Sequence, residues 1–218
     1  MPGALTGRLD TREAALIVGA TLVNGAVAGT LLLLAGTDSA GTELALRTTA
    51  RVSFVWFMLA FIASPLQQLR PSHLSAWLVR RRRAVGVVFG LSMSIHVGCI
   101  LRLFALHAPA RPPMVTDADF LIGIPGLAMV AALTITSASA AKRRLGPIVW
   151  RWLHTTGIWV VWLIFFLCLV DSVGRKNTAH PVLAYYTFIT VLLLGLSLRL
   201  LALRSRVAAS FPRPIENS

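Results

Sequence analysis

The sequence predicts an all-α protein, a bundle of six transmembrane helices with the N and C termini in the cytoplasm. Three observations carry that expectation. Of the 218 residues, 56% are hydrophobic and only 13% are charged, against about 25% charged in an ordinary soluble domain. The apolar residues fall into six runs of 18 to 23, and about 20 suffice to cross a bilayer as a helix. Threaded alternately through a membrane, those runs leave fifteen of the 21 lysines and arginines on one side. Basic loops stay in the cytoplasm, so that side is assigned there.

The first 13 residues form a short cytoplasmic segment, and the six spans occupy residues 14–203. The first span is Ala14 to Ala35, read as a retained helix because it is too long for a signal-peptide core. Asn24 is its only strongly polar side chain, and Gly19, Gly25 and Gly29 are expected to allow close helix packing. A polar loop, Gly36 to Leu46, leads to the second span, Val52 to Leu69, where Pro65 is expected to kink or end the helix. Arg70 to Arg83 is read as a basic loop containing His73.

The third span, Ala84 to Leu106, follows four consecutive arginines and carries His96 in its middle. Arg102 lies late enough in it to snorkel to the far interface. A loop, His107 to Asp119, precedes the fourth span, Phe120 to Ala141, which Pro125 softens. Lys142, Arg143 and Arg144 make a basic turn. The fifth span, Ile148 to Val170, begins with Trp150 and Trp152, read as interface anchors, and with His154. The loop Asp171 to His180 and the sixth span, Pro181 to Leu203, follow, and the basic tail 204–218 is expected to be disordered.

Several functions are excluded. The net charge of +13 is topology signal and attraction to anionic lipid, so no nucleic-acid partner is expected. Cys99 and Cys168 both lie in apolar runs, without disulfide or zinc spacing. No span contains an acidic residue for ion coupling, which argues against a transporter. No Gly-rich nucleotide-binding pattern occurs, so any flavin or nicotinamide chemistry must come from another protein.

That leaves the histidines. An imidazole at membrane depth needs a partner. Helical phase places Val85, Phe89, Ser92, Met93, Leu103 and His107 on the face of His96. It places Pro147, Val161, Phe165 and Cys168 on that of His154. Such faces suit a flat apolar cofactor whose metal takes a histidine nitrogen, as haem iron does. They equally suit a histidine that hydrogen-bonds a neighbouring helix. From the starts of their spans, His96 lies about 18 Å deep and His154 about 9 Å, a mismatch for two ligands of one iron that helix tilt or shifted span boundaries would have to absorb. His73, His107 and His180 fall in loops or at interfaces, where solvated histidine is ordinary.

Three blocks resemble the ferric reductase-like transmembrane family, in its bacterial six-helix branch. They are SPLQQL closing the second span, RRRRAVGVVFGLSMSIH ending at His96, and KRRLGPIVWRWLH ending at His154. The resemblance spans about residues 10–205. It implies b-type haem held by histidines between the third and fifth helices, with His96 and His154 on ligand positions. It also implies a quinol or an external flavin reductase as donor, and transfer across the bacterial inner membrane to an extracytoplasmic acceptor. The basic residues Arg82, Arg83, Lys142, Arg143, Arg144 and Arg151 would then meet an acidic donor or the haem propionates. The family usually has another histidine about 13 residues further along the fifth helix. Leu167 and Cys168 stand there, which implies one haem, or else a haem-free membrane scaffold of the same fold.

Overall fold

The computed structural model describes residues 10–113, 115–174 and 182–210. Among them every regular element is a helix: α1 (Thr11–Ala35), α2 (Ser39–Leu69), α3 (His73–His107), α4 (Asp117–Thr136), α5 (Ser139–Gly174) and α6 (Val182–Ser210). All six are long and apolar enough to cross a membrane. The chain is therefore a multi-pass membrane protein, and helices satisfy its backbone groups where no water can.

The helices overrun the predicted spans. The Asp38 carboxylate accepts from the Gly41 amide at 3.0 Å, so α2 starts inside the expected polar loop, which shrinks to Gly36–Asp38. Ser72 and Ser75 form a reciprocal capping box. The expected loop Arg70–Arg83 thereby shrinks to Arg70–Ser72, and the four arginines ride on a helical turn. The reason is general: arginine is a good helix former, and a helix need not stop where the lipid does. The basic run Lys142–Arg144 is also helical, followed by a break at Gly146, whose φ is 74°. Pro147 restarts the helix, its missing N–H falling where none is needed. α2 continues through Pro65 to Leu69, and α6 runs seven residues past Leu203, to Ser210. Arg175, Lys176, His180 and the last eight tail residues lie outside the described residues.

Five helices close a ring: α2 packs on α3, α3 on α4, α4 on α5, α5 on α6, and α6 back on α2. α1 packs on α2 and α3 from outside it. The ring closes at the arginine-rich end, where Gln68 Nε2 donates to the Ala202 carbonyl at 2.7 Å and Arg206 donates to Gln68 at 2.6 Å. Its interior is aromatic. Phe54, Phe57, Phe61, Phe89, Val130, Val161 and Leu192 form the buried core. Phe165 of α5 touches Phe54, Phe57 and Phe89 with ring centroids 5.5, 5.1 and 6.2 Å away. α3 and α5 thus meet across the ring through side chains.

The glycines expected to pack closely on α1 do not. Nothing lies within 4 Å of a Cβ added at Gly19, Gly25 or Gly29. The close approach is elsewhere, at Gly90 of α3, where an added Cβ would collide with the Thr134 side chain of α4. Gly90→Val is expected to push α3 off α4 and to destabilise the bundle by about 1–3 kcal/mol. Thermal unfolding in detergent checks it, and an unchanged midpoint would refute the tight contact.

Candidate functional site

α2 and α3 run antiparallel, and a file of polar contacts marks successive depths between them. From the end opposite the arginine cluster these are Arg102 Nε to Thr42 Oγ1 at 3.3 Å, Thr49 Oγ1 with His96 Nδ1 at 3.2 Å and Ser53 with Ser92 at 2.8 Å. Towards the arginine-rich end, Arg82 Nη1 donates to Ser64 Oγ at 3.1 Å. Arg102 does snorkel: its Nη2 donates to the Thr37 carbonyl at 2.7 Å.

His96 is the polar centre of this file. Its Nδ1 lies 3.1 Å from the Leu46 carbonyl. A carbonyl only accepts, so Nδ1 carries the proton. Thr49 turns its own hydroxyl to the Ala45 carbonyl at 2.8 Å, so its oxygen accepts from Nδ1 as well. Nε2 keeps its lone pair and has no hydrogen-bond partner among the described residues. An imidazole fixed through Nδ1–H to a backbone carbonyl, with Nε2 open, is how metal-bound histidines are oriented.

His154 is held differently. Its Nε2 lies 3.0 Å from Thr136 Oγ1. The Thr136 hydroxyl points to the Ala132 carbonyl at 2.6 Å, so His154 donates. The Trp150 ring stacks on the imidazole at 4.3 Å, and its Nε1 donates to the Thr136 carbonyl at 2.9 Å. Trp150, expected as an interface anchor, instead helps clamp α5 to α4. Trp152, 71% exposed, keeps the lipid-facing role.

The two histidines are not brought together. Thr134 sits against Gly90. His96 is six residues from Gly90 in one direction, and Thr136 two residues from Thr134 in the other. At about 1.5 Å per residue the imidazoles differ by ~12 Å in depth. Two nitrogens bound to one metal ion at about 2.0–2.1 Å each can be no more than about 4 Å apart. In this arrangement the two imidazoles sit at different depths rather than on either side of one point. Each is also held by a different neighbour, His96 by α2 and His154 by α4, partners that helical phase alone does not specify.

The remaining candidates separate by exposure. Cys168 is exposed and Leu167 is 39% exposed, so neither enters the ring where Phe165, Phe166 and Leu169 pack. Cys99 is buried on α3. His73 is exposed at the start of α3, and His107 turns its Nδ1 to the Leu103 carbonyl of its own helix at 2.9 Å. Lys142, Arg143, Arg144 and Arg151 are exposed. Arg83 donates to the Ser137 carbonyl at 3.0 Å, and Arg81 pairs with Asp10 at 3.2 Å. That guanidinium holds the Asp10 carboxyl below the usual carboxylate range.

One residue was missed. Arg199, counted from sequence only as a topology charge, points into the ring. Its Cζ lies 4.4 Å from the Phe61 ring centroid and 5.1 Å from that of Trp159. Its Nη1 is buried without a hydrogen-bond partner among the described residues. Helical phase held the signal: Arg199 shares a stripe with buried Leu192, Gly195 and Ala202.

Among the described residues no group of three or more His, Cys, Asp or Glu could hold a metal ion. A metal at His96 would have to arrive with most of its own donors, as iron does in a porphyrin. The open Nε2 and the fixed tautomer fit that group, while Phe57, Phe89 and Phe165 pack against one another between α3 and α5 and would have to part for it. To offer Nε2 to iron, His154 would have to give up its bond to Thr136.

The model of a family described as "Ferric reductase like transmembrane component" matches residues 49–168. That segment contains both histidines. Two curated relatives are haem-binding subunits, named MsrQ, of protein-methionine-sulfoxide reductase. The one from Herminiimonas arsenicoxydans is 26% identical over 176 residues, 76% of this chain and 77% of the relative. The one from Ralstonia nicotianae is 27% identical over 175 residues, 76% of each. No solved structure matches.

Proposed function

The chain belongs to the ferric reductase-like transmembrane family, and from that premise we propose that it carries electrons across a bacterial inner membrane on b-type haem ligated by His96. The observation behind the ligand is the imidazole itself, protonated at Nδ1 toward Leu46 and open at Nε2. Haem supplies a one-electron iron couple. The protein supplies axial ligation, burial and nearby charge, which set the potential. Leu46 and Thr49 orient the ring, and the core aromatics exclude water.

In this reading the arginine-rich end is cytoplasmic. It receives electrons from a quinol or an external flavin reductase, for which exposed Lys142, Arg143, Arg144 and Arg151 form a basic landing surface. The acceptor is extracytoplasmic. The relatives are named as subunits of a methionine-sulfoxide reductase, so a periplasmic reductase of that kind is the proposed partner. His154 enters as the ligand of a separate haem nearer the cytoplasm, which requires its Nε2 to leave Thr136.

A second reading has one observation in its favour. The Phe57, Phe89 and Phe165 rings already bridge α3 and α5, as a haem-free scaffold of the same fold would require. A visible spectrum of the protein purified in detergent, after expression with ample haem, separates the two. Haem absorption that His154→Ala halves supports two haems, and absorption it leaves intact confines iron to His96. A spectrum without haem bands leaves only the scaffold.

A further inference from the structure

We propose that Arg82 and Arg199 form an oxyanion site inside the bundle, filled by a carboxylate or phosphate that a membrane-borne ligand brings.

The two side chains come from different helices and converge on one face of α2. Arg199 lies over Phe61 at 4.4 Å. Arg82 donates to Ser64 Oγ at 3.1 Å, three residues along the same helix and hence on the same face. Trp159 of α5 forms a second wall, 5.1 Å from the Arg199 guanidinium. Through Phe61 and Ser64 both guanidiniums are held against the same stretch of α2. Like charges placed together in a membrane repel unless something neutralises them.

The protein provides no such group among its described residues. The ion pairs there are Arg47–Glu43, Arg81 with Asp10 and Glu13, and Arg111–Asp117. None involves Arg82 or Arg199, and the described acidic residues all lie at or near helix ends. Two aromatic faces attract a cation, yet they offset only part of its desolvation and accept no hydrogen bond in the plane of the fork. Arg199 Nη1 is accordingly buried with its donors unmet. A planar fork with unmet donors matches the two oxygens of a carboxylate or phosphate.

Two sources carry that chemistry here: a haem propionate, which rests on the function proposed above, and the phosphate of an anionic phospholipid from the leaflet at the arginine-rich end, which does not. Arg199→Met, Arg199→Lys and Arg82→Gln are compared with the parent in two measurements. One titrates haem-depleted protein with hemin. The other follows thermal unfolding of haem-depleted protein in phosphatidylglycerol and in phosphatidylcholine nanodiscs.

With a propionate as the anion, Arg199→Met and Arg82→Gln bind hemin at least about tenfold more weakly, and Arg199→Lys retains much of the affinity. With a lipid phosphate, the parent melts higher in phosphatidylglycerol than in phosphatidylcholine, and both neutral variants lose that difference. Should the parent take up no hemin, the function proposed above fails while the lipid comparison still decides this site. The proposal is overturned if the neutral variants match the parent in hemin affinity and lipid response. Arg199→Met should then melt at or above the parent, since removing an unpaired buried charge relieves the bundle.

Discussion

His96→Ala is expected to abolish retention of the haem that His96 ligates, lowering affinity at that position by at least about 100-fold. The comparison is with orienting partners of a metal ligand, whose loss alone typically weakens binding by about 10–100-fold. The variant removes the ligand nitrogen itself. The fold should survive, because among the described residues His96 is bonded only to Leu46 and Thr49 and helix–helix hydrogen bonds in membranes contribute about 0.6 kcal/mol on average. Thr49→Val is the graded control. It removes one acceptor and leaves the Leu46 carbonyl to hold the tautomer, so its loss of haem should be smaller. Haem content per chain, with the visible spectrum, reads both. A His96→Ala protein that keeps its full haem complement would remove His96 from the site.

Phe165→Ala should have the largest effect on stability, a loss of about 2–3 kcal/mol from the cavity left by the ring. Phe165 is the α5 ring that reaches α2 and α3 together, through Phe54, Phe57 and Phe89. Lipid is as apolar as the core, so transfer contributes little. The loss is of packing contacts between rings that nothing else in the ring can fill. Denaturation in mixed micelles would measure it. A loss under about 1 kcal/mol would mean that the rings touch without bearing on the fold.

Fold class was legible because bilayer thickness imposes span length and backbone pairing imposes helix. The arginine bias was legible for the same kind of reason. Helix ends were not: Asp38 and Ser72 start helices well outside the apolar runs, and hydropathy does not register caps. The site was half legible. His96 and His154 stood out as imidazoles in lipid, and a depth difference was already visible. What could not be read was the lateral partner. Leu46 lay in the expected polar loop, and Thr136 came from a helix that no spacing linked to His154. Arg199 was overlooked because a charge near the end of a span satisfies topology counting whichever way it points.

The closure of the ring by its last member has a consequence for how the protein is made. Gln68 and Ala202 touch across 134 positions of chain, so the second span must wait in the bilayer for the sixth to emerge from the translocon. Phe61 and Trp159, whose rings meet edge to face at 5.8 Å, can pair with each other before Arg199 arrives to join them. Neighbours such as α2 with α3 and α4 with α5 can pair as they emerge, but the ring itself closes only once α6 is in place.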